Sequence, residues 1–200
     1  MTSVETDRVQ ILAGLRGGKT IGSPLALQIP NKDTSIDKLP VVTRPRPGHA
    51  DLSGALKYNH EDVRSILERA SARETAARVA VGAVAKRFLQ EFGVEVFSHV
   101  VRMGGVQANV EKLTHAQIRK KAELSPLRCA DAKAEAKMIA LVDKAKQAGD
   151  TIGGAIEIVA TGLPVGLGSH VQWDRKLDAR LAAGLMAIQA IKAVEIGAGT

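Results

Sequence analysis

Apolar positions along the chain change period several times, and each change marks an element. Residues 9–13 form a short apolar run that predicts a strand. A glycine-rich turn follows at 14–19, and in residues 24–29 Leu25, Leu27 and Ile29 alternate on one face, predicting a second strand and a hairpin. The polar, proline-flanked stretch 31–42 is a loop. From His60 to Phe92 the spacing becomes helical, with Val63, Ile66, Leu67 and Ala70 on one face and Ala77, Ala80, Val81, Val84 and Leu89 continuing the stripe to a stop at Gly93. The many alanines and Gly82 predict close packing of this segment on another helix.

Residues 94–103 are valine-rich and predict a strand ended by Gly104-Gly105, with His99 on it paired or facing solvent. Thr114-His-Ala-Gln117 has the form of a capping box opening a short helix, with His115 exposed. A second long helix is predicted over 131–148, with Ala134, Met138, Leu141 and Ala145 inward, a solvated face of lysines and acids, and Gly149 as its stop. A strand over 155–161, a glycine-rich loop over 162–168, a helix over 176–192 and a strand at Val194-Glu-Ile196 complete the pattern. The loop glycines suit close approach either to a ligand or to another subunit.

Composition narrows the partners. The chain has 200 residues, 45% of them hydrophobic, and a net charge of +7, which favours anionic partners such as phosphorylated metabolites, nucleotides or nucleic acid. Aromatics make up 2%, too few for base-stacking recognition of single strands, so no nucleic acid partner is expected. A single cysteine, Cys129, makes no intrachain disulfide and fits a reducing compartment. No apolar run is long enough for a membrane helix, and the N-terminal ten residues lack an apolar signal region, so a cytoplasmic location is expected.

Candidate chemistry concentrates in two stretches. Residues 43–51 read Thr-Arg-Pro-Arg-Pro-Gly-His-Ala-Asp. Pro45 and Pro47 hold Arg44 and Arg46 in extended backbone, and Gly48 permits a turn that presents His49 beside Asp51. An imidazole with guanidiniums three and five residues earlier suits an anionic ligand undergoing proton transfer; the plainer reading is a basic surface turn. In residues 68–78, Arg69, Ser71, Arg73 and Arg78 alternate with small residues that let a bulky ligand approach the backbone. A phosphate loop at 14–20 fails, because Ala13 stands where the first glycine is needed and a strand containing Pro24 follows instead of a helix. The five histidines show no metal-ligand spacing, and no metal is expected.

The strings TRPRPGHAD (43–51), GALKY (54–58), ERASARETAARVA (68–80), DTIGG (150–154), GLPVGLGS (162–169), KLDARLA (176–182), IQAIK (188–192) and VEIG (194–197) resemble the chorismate synthase family, in its order. The resemblance implies an α+β fold, one domain over 1–200 that is the central portion of the family pattern, with long helices sandwiched between antiparallel β-sheets. It implies a phosphate-eliminating lyase that converts 5-enolpyruvylshikimate 3-phosphate to chorismate in the shikimate pathway to aromatic amino acids. Reduced FMN is the implied cofactor, with NADP tied to members that reduce their own flavin, and a homotetramer is the implied assembly. Residue by residue, His49 matches the histidine proposed to protonate the flavin. Arg46 and Arg73 match arginines that hold substrate anions. Arg69, Ala70 and Ser71 match one FMN contact, and Gln189 and Ala190 a second. The family's Gly-Glu-Ser-His-Gly motif, its arginine-rich glycine loop and its flavin loops after Gly199 have no counterpart in these 200 residues, and Thr200 stands where an aromatic is expected. A truncated piece with little or no activity alone, or an inactive remnant keeping flavin binding or oligomerisation, is the corresponding expectation.

Overall fold

The computed structural model describes residues 7–197, with the side chain of Asp37 excepted; the expectations for Gly199 and Thr200 lie outside this range, as does most of the N-terminal stretch. In chain order the elements are β1 (Gln10–Ala13), β2 (Leu15–Arg16), β3 (Lys19–Thr20), β4 (Ala26–Gln28), α1 (Asp51–Tyr58), α2 (Arg64–Arg69), α3 (Glu74–Gln90), β5 (Glu95–Met103), β6 (Val106–Gln107), α4 (His115–Leu124), α5 (Ala132–Ala148), β7 (Gly154–Thr161) and α6 (Leu177–Met186). Every strand pairing among them is antiparallel, and the fold is α+β. The chain divides into two compact units, residues 1–85 with 171–200, and residues 86–170.

In the first unit β1 and β4 form the expected hairpin. Its tip is a smaller ladder, β2 with β3, closed by Gly17 and Gly18 at φ 56° and 76°. Both positive angles match the turn type that follows the twist of paired strands. The helix expected over 60–92 is two helices, with a break at 70–73. The apolar spacing runs on, but local polar groups interrupt it. The Asp62 carboxylate accepts from the backbone N–H of Arg64 and of Val42, which starts α2 and ties the 40–42 loop to it. Ser71 Oγ accepts from the Arg73 N–H at 3.2 Å, taking a backbone donor that a continuous helix would use.

The helix α1 has no counterpart in the sequence reading. It ends at Asn59, whose φ of 53° is left-handed. Its Gly54 lies so close to α2 that a Cβ there would sit 2.4 Å from Ile66 Cγ2. Of the stripe expected on α3, Ala80 is buried, while Val81 and Val84 are exposed. Likewise α6 stops at Met186, six residues short of the expected end, and Val194–Ile196 is not a strand among the described residues. A strand needs a ladder partner, which local pattern does not supply.

The second unit is a three-stranded sheet in the order β6-β5-β7 with α4 and α5. Tertiary packing here is dense. Met138 is fully buried among Ala108, Cys129 and Ala134, against Val100, Met103, Val106 and Leu127. Phe97, Ile118 and Ala130 form a second cluster with Val110, Leu113 and Val159. The Thr114 capping box is complete, both reciprocal hydrogen bonds with Gln117 being made. Asp131 caps α5 and Gly149 closes it at φ 66°. His99 is buried and paired, its Nε2 lying 2.6 Å from Glu157 of the facing strand. Replacing Met138 by Ala should lower stability by about 2–5 kcal/mol, read as a lowered urea midpoint, because the site is closed on all sides. The change Leu124→Ala, at an exposed position, should stay within about 0.5 kcal/mol.

Candidate functional site

The turn at 43–51 is built around a carboxylate. Asp51 opens α1 and its side chain has no solvent exposure. A buried carboxylate needs a cation and hydrogen bonds, and Arg46 supplies both. The Arg46 backbone N–H donates to Asp51 Oδ2 at 3.0 Å, Nε donates to the same oxygen at 2.9 Å, and Nη2 donates to Oδ1 at 3.1 Å. This two-pronged grip holds the Asp51 carboxyl down at about 2. The same contact raises the Arg46 guanidinium above its ordinary value. Gly48, at φ 71°, reverses the chain between the two partners. His49 stands beside them, with Nδ1 3.2 Å from Arg46 Nη2 and 3.9 Å from Asp51 Oδ1, and its side chain is half-exposed.

One face of α1, along its whole length, lines a shallow cavity of about 330 Å³. Ala50, Ser53, Gly54, Lys57 and Tyr58 come from α1 and the residue before it, and Ile66, Arg69, Ala70 and Glu74 come from α2 and the start of α3. Arg69 and Ala70 thus share a cavity with Ala50, the residue that follows His49. Ser71 instead caps the Arg73 N–H. Gln189 donates from Nε2 to Glu74 at 2.8 Å, which brings the second expected contact region to the cavity wall. Ala190 adopts φ 66°, a strained angle for a residue with a Cβ. Glu74 also lies 3.9 Å from Arg69 and 3.5 Å from Arg78.

Arg73 is held elsewhere in this unit. Its Nε donates to Asn31 Oδ1 at 2.7 Å and its Nη1 pairs with Asp7. It lines a second, apolar cavity of about 200 Å³ with Leu27, Ile29 and residues of α3. Sequence reasoning gave no role to Asp51, Lys57, Tyr58, Glu74 or Asn31. For Asp51 one signal was present: an acid two residues after the candidate histidine and five after an arginine in proline-stiffened chain. Among the described residues no cluster of three or more potential ligands suits a metal ion.

Because the Asp51 carboxyl is depressed in the folded chain, its contribution to stability is complete above its ordinary value of 3.8 and is lost as pH falls through about 2. A carboxyl-carbon NMR titration should give a midpoint near 2 for Asp51, and the change Arg46→Gln should move that midpoint upward. An unchanged midpoint in the variant would mean that the guanidinium is not the cause.

Comparison with known proteins agrees across sequence and structure. The family described as chorismate synthase matches over residues 1–200. The chorismate synthase of Geobacter metallireducens is 57% identical over 98% of this chain and 53% of its own length. That of Desulforudis audaxviator is 53% identical over 98% of this chain and 54% of its own length. A crystal structure of chorismate synthase superposes with a TM-score of 0.83 at 48% identity, covering 96% of this chain and 56% of that one. The chain spans about half the length of the curated relatives it matches. On this agreement the chain belongs to the chorismate synthase family.

Proposed function

We propose that this chain serves the elimination of phosphate and a ring proton from 5-enolpyruvylshikimate 3-phosphate, giving chorismate. The observation that carries the reading is the cavity of α1 and α2 that begins one residue after His49 and has Lys57, Arg69 and Glu74 as its charged wall residues. Lys57 and Arg69 supply positive charge on its wall, and Gly54 and Ala70 leave room beside them. That donor set fits a flavin phosphate or a substrate anion. Arg69, Ala70 and Ser71, with Gln189 and Ala190, are the residues we assign to reduced FMN. When bound, the flavin supplies electron density for the breaking C–O bond. His49 is the group we assign to proton handling, and Arg46 and Arg73 to substrate anions. In the structure both arginines already hold carboxylates of this chain, Asp51 and Asp7. Anion binding by them therefore means sharing or exchanging those partners.

The family match runs unbroken over 1–200, which supports one domain across both compact units. Assembly as a homotetramer, NADP-linked flavin reduction and a cytoplasmic location belong to the same reading. No helix among the described residues is long and apolar enough to cross a membrane. Anaerobic titration of reduced FMN, followed by fluorescence in the presence of 5-enolpyruvylshikimate 3-phosphate, tests the proposal. Binding that requires the substrate supports it. The change Arg69→Ala should weaken that binding about tenfold, the weight of one charge-assisted hydrogen bond. Absence of any flavin binding with substrate present would overturn the assignment.

A further inference from the structure

We propose that Arg46, anchored by Asp51, selects the tautomer of the neutral His49 imidazole that carries its proton on Nε2. Arg46 meets the imidazole through its guanidinium. It carries five N–H donors and no acceptor. Arg46 Nη2 lies 3.2 Å from His49 Nδ1, so Nδ1 must accept, and a nitrogen that accepts bears no proton. The ring's remaining proton is then on Nε2, on a side chain that is half-exposed.

What makes this a fixed arrangement is the third partner. A lone surface arginine would sample many rotamers, but Arg46 is gripped at Nε, at Nη2 and at its own backbone N–H by one carboxylate. Asp51 is fully buried at the start of α1 and cannot follow a moving partner. One Nη2 hydrogen serves Asp51 and the other is left for His49. The competing arrangement, with the proton on Nδ1, would set that N–H against the Arg46 Nη2–H, donor facing donor. The carboxylate oxygen nearest to Nδ1, Asp51 Oδ1, is 3.9 Å away, outside hydrogen-bond range. Arg46 and Asp51 are thus positioning residues for the imidazole.

The consequence bears on the proton role assigned to His49, and only for that meaning does the inference rest on the proposed function. In this state the ring presents Nε2–H as a hydrogen-bond donor. It becomes an acid only after gaining a proton at Nδ1, and that proton displaces Arg46 Nη2 from the ring.

The test reads the tautomer directly, in the ligand-free 200-residue chain labelled with 15N-histidine. Long-range 1H–15N correlation at a pH where the imidazole is neutral distinguishes the nitrogen that carries the proton from the one that does not. Loss of signals in His49→Gln assigns them. The expected result is a single tautomer, with the proton on Nε2. In Arg46→Lys and in Asp51→Asn the share of the Nδ1–H form should rise about tenfold, because one charge-assisted hydrogen bond has been lost. A proton on Nδ1, or an even mixture, in the unaltered chain would overturn the proposal whatever the variants do. So would an unchanged tautomer in both variants when their circular dichroism matches that of the parent. Flavin titration of the same samples is a separate reading. A chain that fails to bind flavin but shows the Nε2–H form refutes the proposed function and supports this inference.

Discussion

A charge taken out of water organises the site. Asp51 lies at the start of α1 with no solvent contact, and isolated carboxylates do not survive such burial in ionised form. Everything around it follows from satisfying that charge. The extended, proline-braced segment delivers Arg46 in the right direction, Gly48 turns the chain back, and α1 begins where the carboxylate is held. Only the carboxylate is withdrawn from water, the Arg46 side chain remaining 44% exposed, and three hydrogen bonds onto that carboxylate keep the geometry sharp. His49, three residues from one partner and two from the other, inherits that sharpness.

The rest of the first unit is comparatively open. Val63, Ile66 and Ala80 are its buried apolar residues among those described, whereas Val79, Val81 and Tyr58 are exposed. Polar ties do much of the ordering: Asp62 to the backbone of Val42 and Arg64, Arg73 to Asn31 and Asp7, and Gln189 to Glu74. The second unit rests instead on packed apolar clusters beneath an antiparallel sheet. Polar networks exchange partners more readily than packed cores do, because water and ligand anions can replace each contact. A ligand-handling region made of such ties suits the chemistry assigned to it.

Much of the fold is legible in the sequence where local pattern and tertiary packing agree. The strands β5 and β7, the capping box at Thr114 and the span of α5 are such cases, each carrying its own start or stop signal. The break between α2 and α3 is not legible from apolar spacing, since the stripe continues across it while Ser71 diverts a backbone donor. The helix α1 is obscured by Ser53 and Gly54, both poor helix formers, and is explained by its contact with Ile66. At the site, the closeness of Arg46 and His49 is legible because the two lie three residues apart across a proline–glycine turn. The burial of Asp51 is not, because carboxylates are seldom fully enclosed. Neither are the partners of Arg73, which come from 42 and 66 residues away.

The contact at Gly54 couples two pieces of chain that are separate in sequence. With no side chain at Gly54, α1 and α2 touch directly there, which links the imidazole turn before the first helix to the Arg69 end of the second. A single added methyl group at that point would act as a spacer. It would retune the distance between His49 and Arg69 while leaving every polar residue in the region chemically intact.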